Sequence, residues 1–238
     1  MPAEFPTSLH RTSRPLLGAS TLVFAIGFNV PYAILAVTFD YPGVLRRPAG
    51  EVLDLFAAGG TSLVLTWYAF LWAALLFVPL AASLALSRER VAAPTGLAIG
   101  AAIAGGLSGV LQAIGLARWV FVIPVQAAAH ASGDVSAAVV FDTLNQYGGV
   151  AIGEHLGQLL LALFACQLAS LQWAEHRRML GLAGFASAFG IAIGTGEGLA
   201  LSLGAAGDAF SLFTIGGFLT FSAWLVATAL SLIWPART

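Results

Sequence analysis

An all-α polytopic membrane helix bundle, with six transmembrane helices in a single integral-membrane domain spanning residues 1–238, is predicted by three features of the sequence. Hydrophobic residues make up 59% of the chain and charged residues only 9%, where soluble domains carry roughly a quarter charged. Mean hydropathy is +0.90. The apolar residues fall into runs of about 20 or more, the length a helix needs to cross a bilayer, and arginines, prolines and paired glycines separate the runs. A formal net charge of −1 and the lack of any basic stripe exclude nucleic acid as a partner.

The first span covers about 15–39. It outruns the ~7–15-residue apolar core of a signal peptide and ends in Phe39, Asp40, Tyr41 and Pro42, which reads as an uncleaved anchor. Asn29 and Pro31 lie in mid-span, where proline removes a backbone hydrogen bond and kinks the helix. Turn signals at Pro42-Gly43 and Gly59-Gly60 bound a loop containing a short helical stretch, PAGEVLDLF. The second span covers about 61–86, interrupted by Pro79.

In the third span, about 94–117, Gly96, Gly100, Ala104 and Ser108 recur at every fourth position, and Gly105 with Gly109 forms another small pair. Such faces let helix backbones approach closely in lipid. Apolar character continues through Pro124 to Ala131, either as a kinked extension of this helix or as a piece on the interface. Next, Ala137, Val140, Phe141 and Leu144 oppose Ser136, Asp142, Asn145 and Gln146. This pattern predicts a short interfacial amphipathic helix between the third and fourth spans, stopped by Gly148-Gly149.

The fourth span covers about 150–173, the fifth about 180–203 and the sixth about 208–234. Ala186, Gly190, Gly194, Gly198 and Ser202 make a second small-residue seam along the fifth. Trp119, Trp173 and Trp234 fall at span ends, the place of interfacial aromatics. The single cysteine, Cys166, cannot form an internal disulfide and reads as a small packing residue. With the N-terminus in the cytoplasm, seven of the ten arginines lie inside and three, Arg46, Arg47 and Arg118, outside. The positive-inside rule therefore places both termini in the cytoplasm. Arginine without any lysine in an Ala/Gly-rich chain points to codon bias in a GC-rich bacterium.

Polar side chains at membrane depth concentrate near the outer face. Glu154 and His155 open the fourth span, and Gln158 shares their broad face at helical spacing. Glu197 lies 17 positions beyond residue 180 in the fifth helix, which at about 1.5 Å per residue reaches the same outer depth. Arg118 ends the third span. An unpaired charge in low dielectric pairs or loses its charge, so Arg118 is expected to pair with Glu154 or Glu197. The cluster reads equally as a polar lock that only fixes helix register.

The functional reading is a non-enzymatic membrane protein with an outward-facing polar pocket for a small solute or lipid, or an accessory membrane subunit, with the bilayer as its partner and no cofactor. The alternative is a membrane redox protein using His155. His155 and His176 are 21 residues apart, about 30 Å along a helix, which suits haems near opposite faces with His130 outside and His10 inside as further ligands. A metal at His130, His155 and Glu154 lacks a spacing such as HExxH. The GTGEG of Gly194 to Gly198 mimics a phosphate loop, but no strand precedes it and its glycines fit helix packing.

The segments FDYPGVLRRPAGEVLDLFAAGG, GLARWVFVIPV and GVAIGEHLGQLLLALF resemble a group of uncharacterised bacterial multi-pass membrane proteins classed as a domain of unknown function. The resemblance implies a polytopic bundle in the bacterial inner membrane. It transfers no activity and assigns no functional residue.

Overall fold

The computed structural model describes residues 14–92 and 96–234. His10, Arg11, Pro94 and Arg237, used in the readings above, lie outside the described residues. Helix α1 (Pro15–Thr38) is followed by a 3-10 turn, Gly43–Arg46, and by α2 (Ala49–Ala85). A short α3 (Arg88–Ala92) precedes α4 (Gly96–Phe121), and a break at Val122 separates α4 from α5 (Ile123–Ala131). Helix α6 (Ser136–Leu144) runs through a π-helical segment, Asn145–Leu156, straight into α7 (Gly157–Ala174). Helices α8 (Arg178–Gly194) and α9 (Gly196–Ser202) divide at Thr195, and α10 (Asp208–Ile233) follows. Joined across their internal breaks, these elements give six helices long and apolar enough to cross a membrane, with no strand among the described residues. The chain is a multi-pass helical membrane protein.

Each long helix packs on its neighbour in sequence, and α1 also packs on α10, so the bundle closes into a ring. The helices are apolar nearly all round, as buried or lipid-facing helices are. Leu16, Val37, Leu65, Leu76, Ile103 and Phe189 point outward and are exposed, an arrangement that suits hydrocarbon as solvent. Inside the ring, Phe77, Phe164, Phe221 and Trp224 fill one half among alanines. There Gln172 accepts from the Trp224 indole at 2.9 Å and donates to the Thr228 hydroxyl at 3.1 Å, so this buried amide is satisfied at both ends. At that end of the bundle Arg90 grips Glu175 through both carboxylate oxygens, at 2.5 and 3.0 Å.

Small residues set the helix spacing. A Cβ built on Gly115 would lie 2.9 Å from the Cα of Gly153, and one on Gly190 would lie 2.9 Å from the Cα of Gly217. Gly105 meets Ala81 and Phe164 and Gly100 meets Gln167, so the seam of α4 packs against α2 and α7 from Gly100 onward, whereas Gly96 is exposed with open space around it. The seam of α8 differs from expectation. Gly190 and Gly194 abut α10, but Ala186 and Ser202 are exposed, and the buried face runs instead through Gly184, Ser187, Ala188 and Ile191.

Other expectations shift as well. Helix α2 starts at Ala49, twelve residues before 61, because Gly60 does not end it but bends it, taking φ 55° and ψ −152°, a conformation only glycine adopts freely. Gly148-Gly149 does not stop α6; the helix widens to π geometry and continues, so the expected short interfacial helix is no separate element. Trp119 is buried rather than interfacial, whereas Trp173 and Trp234 are exposed. Cys166 faces outward from α7 and is not a packing residue.

The Gly190–Gly217 contact makes a clear test of this packing. Gly190→Ala should destabilise the detergent-purified protein by about 1–3 kcal/mol through overpacking. Gly27→Ala, at a helical site with open space around it, should be neutral or stabilising by up to about 1 kcal/mol. Melting temperatures of the two variants decide the matter.

Candidate functional site

Between the packed half of the ring and its opposite end lies a cavity of about 440 Å³, to which all six long helices contribute. Its lining includes seven aromatic residues, Phe28, Tyr32, Tyr41, Trp67, Phe70, Trp119 and Phe218. The rings interlock: Trp67 stacks on Trp119 at 4.7 Å and 8°, and Tyr41 stands edge-on to Trp67 at 5.2 Å. Aromatic pairs in these arrangements gain roughly 0.5–1.5 kcal/mol beyond area burial, so this wall is stiff. Arg118, Glu154, His155, Gln158 and Glu197, the five residues singled out in the sequence, all line this cavity.

The charge pairing differs from expectation. Arg118 does not pair with Glu154 or Glu197. Both carboxylates are held by Arg46, whose Nη2 reaches Glu154 Oε2 at 3.0 Å and whose Nε reaches Glu197 Oε1 at 3.0 Å. Arg46 is brought there by the 3-10 turn, where Val44 and Leu45 plug into the bundle and leave the next side chain facing the two helices. The Leu45 carbonyl also accepts from the Asn145 amide at 3.5 Å. Burial works against the charge on Arg46, but the two carboxylates outweigh it and hold its pKa above the ordinary value. Neighbouring Arg47 turns away to Asp40.

Arg118 is 8% exposed and sits inside the wall. Its Nη1 donates to the Gly115 carbonyl at 2.5 Å, its Nη2 to Asn145 Oδ1 at 3.1 Å, and its guanidinium carbon lies 5.1 Å from the centroid of the Trp119 ring. Gly149 makes this placement possible, since a Cβ there would collide with the guanidinium. The glycine pair that reads as a helix stop is thus used to admit a cation. Two buried donors beside it, Arg118 Nε and Trp67 Nε1, have no hydrogen-bond partner. Tyr41, between the spans, adds a phenol whose pKa is raised by burial first and by the Glu154 charge second, so it stays protonated.

The irregular helical segments converge here. The π segment carries Glu154 and His155 and, through Gly153, lies against Gly115 of α4. π geometry inside a helix is uncommon and recurs at functional sites. His155 Nδ1 lies 2.9 Å from the Thr195 carbonyl at the break between α8 and α9. A carbonyl only accepts, so Nδ1 carries the proton and Nε2 is the remaining ring nitrogen. Ser108 ties the start of α7 to α4 by donating to the Gly157 carbonyl at 2.7 Å, and Gln112 donates to Ser108 at 2.8 Å.

The histidines proposed as joint metal or haem ligands are not brought together on the cavity. His130 lies off the lining, its Nε2 3.6 Å from Asp54 Oδ1. Among the described residues no three His, Cys, Asp or Glu side chains form a group that could hold a metal ion. Sequence reading missed Arg46, Tyr41, Trp67 and Asn145. Charge balance gave a signal for Arg46: two carboxylates at one depth call for more than one cation, and Arg46 is assigned to the same side as Arg118.

A family model described as domain of unknown function DUF4386 matches residues 16–229, and the chain belongs to that family. No curated protein and no solved structure matches it.

Double-mutant cycles report the pairing directly. Arg46→Gln combined with Glu197→Gln should show a coupling of about 1 kcal/mol in unfolding free energy, the upper range for partly exposed ion pairs. Arg118→Gln combined with Glu197→Gln should be additive. A reversed pattern would return Arg118 to the role of partner.

Proposed function

We propose that this family member is a non-enzymatic membrane protein whose cavity binds, and in the working protein moves, a small amphipathic solute or lipid. The observation that supports this most is the space itself. Protein interiors pack as densely as organic crystals, and atoms lining a void forgo dispersion contacts with nothing in return. A polar lock for helix register needs no cavity of about 440 Å³ beside it. The aromatic wall suits an apolar body, and the Arg46–Glu154–Glu197 cluster with Arg118 supplies orientation. Pockets of ~300–1,000 Å³ with apolar walls and few polar groups are the usual form of small-molecule sites. The break at Thr195 and the widened turn of the π segment fit a site where helices reshape around a guest.

We place the protein in the bacterial inner membrane with both ends cytoplasmic, which turns the cavity and its charged cluster to the outer face. The excess of arginine at the opposite end, where Arg14, Arg90, Arg177 and Arg178 lie, supports this orientation.

Native mass spectrometry of the purified full-length chain is expected to show a small-molecule adduct. Gln158→Trp, which fills the cavity from α7, should remove the adduct and leave the melting temperature within a few degrees of the apo protein. An adduct that survives the filling substitution overturns the reading. So does a wild type without adduct that melts below the filled variant, since the space is then only a packing defect.

For orientation, single cysteines replace Gly133 and Arg178 in a Cys166→Ser background. A membrane-impermeant maleimide added to whole cells should label the first and not the second. Labelling of the second from outside inverts the topology.

A further inference from the structure

Within the cavity, donors and acceptors are unevenly matched. Glu154 and Glu197 each already hold Arg46, and with side-chain exposures of 24% and 19% they also reach solvent. Arg118 is more deeply buried, is bonded only to a neutral carbonyl and a neutral amide, and keeps its Nε unpartnered. The Trp67 indole N–H, fully buried, is unpartnered too. The two residues share one wall through Trp119, which stacks on Trp67 and lies 5.1 Å from the Arg118 guanidinium carbon. Buried polar groups in folded proteins nearly always find partners, and although neither of these two nitrogens has surface of its own on the cavity, the lining residue Arg118 presents there a positive charge whose hydrogen-bond partners are both neutral.

We infer that the occupant of the cavity carries one anionic oxygen group, a carboxylate or a phosphate, on an apolar body, and that Arg118 receives that group. This rests on the cavity being a binding site, as proposed above. An uncharged guest leaves the guanidinium with neutral hydrogen-bond partners and only the more distant Glu154 carboxylate to answer its charge, and a cationic guest meets its repulsion. An anionic oxygen accepts from the guanidinium with the charge-assisted geometry that arginine favours. The ring-lined volume of about 440 Å³ accommodates a single-chain or single-ring body.

The test uses the full chain in phosphatidylcholine nanodiscs and three probes that differ only in their head: phenylbutyrate, phenylbutanol and phenylbutylamine. Quenching of tryptophan fluorescence and the melting temperature are the readouts. The acid should bind about tenfold or more tighter than the alcohol, as a charge-assisted hydrogen bond implies, and the amine should bind weakest. Arg118→Gln should abolish the advantage of the acid. Where that variant does not fold, Arg118→Lys, which keeps the charge and loses the planar fork, should reduce it several-fold.

Equal binding of acid and alcohol, or a preference for the amine, overturns the anionic assignment while leaving the cavity as a site. Failure of all three probes to bind strikes at the site reading itself. An acid preference that survives Arg118→Gln, or survives Arg118→Lys undiminished where the first variant does not fold, overturns the role of Arg118. Repeating the titration with phosphatidylglycerol in the nanodisc separates the two sources of the anion. Competition assigns it to a lipid headgroup, and its absence to a free acid.

Discussion

One guanidinium answering two carboxylates is the interaction on which the open half of the bundle depends. Glu154 belongs to the π segment and Glu197 to α9, and without a cation between them two like charges would face each other at the edge of a low-dielectric interior. Such a pair repels unless one member takes up a proton. Arg46 removes the conflict and comes from neither helix. The turn that carries it is seated by Val44 and Leu45, so burial of two aliphatic side chains fixes a charge. The connection between α1 and α2 thereby becomes a structural part of the cavity rather than a link over its rim.

The two halves of the ring solve the problem of packing in lipid differently. Where Phe164 and Trp224 meet the alanines of α2 and α4, side chains fill the interior; Gln172 there is bonded to Trp224 and Thr228, while Gln167 Oε1 is buried without a partner. Around Trp67 and Trp119 the rings pack on one another, and two of the polar atoms in that wall are left open. Uniform hydrophobicity along the helices conceals this division. It arises from the interplay of the aromatic cluster with the widened helix at Asn145–Leu156.

Helix number and class were legible because the bilayer imposes length and apolarity on every span, and both can be counted in a sequence. Small residues at fixed spacing marked the faces of α4 well, since a Cβ at Gly105 or Gly109 would enter α2. The same rule erred at Ala186 and Ser202, because four-residue spacing drifts around a helix and the break at Thr195 resets the face. Arg118, Glu154, His155, Gln158 and Glu197 drew attention by their cost in lipid, and depth alone brought them to one cavity. Their connections were not legible. Which arginine reaches a carboxylate depends on the path of a loop, and periodicity is silent about loops. Glycine pairs proved ambiguous for a related reason: Gly59-Gly60 and Gly148-Gly149 have the composition of turns, yet one bends a continuing helix and the other clears room for a guanidinium.

The closure of the ring between α1 and α10 also bears on how the protein is made. Helices enter the membrane in the order of synthesis, and α1 must wait for α10 before its inner face is covered. Asn29, whose amide donates to Ser222 of α10 at 3.0 Å, meanwhile has only its own helix, through the Ala25 carbonyl, to bond with. The cavity has no complete wall until Ser211, Thr214 and Phe218 arrive. Arg46 can settle between Glu154 and Glu197 only once α9 is in place, immediately before that final helix. Assembly thus runs in one direction, with the charged cluster forming late and the chamber sealed by the last of the six helices to be synthesised.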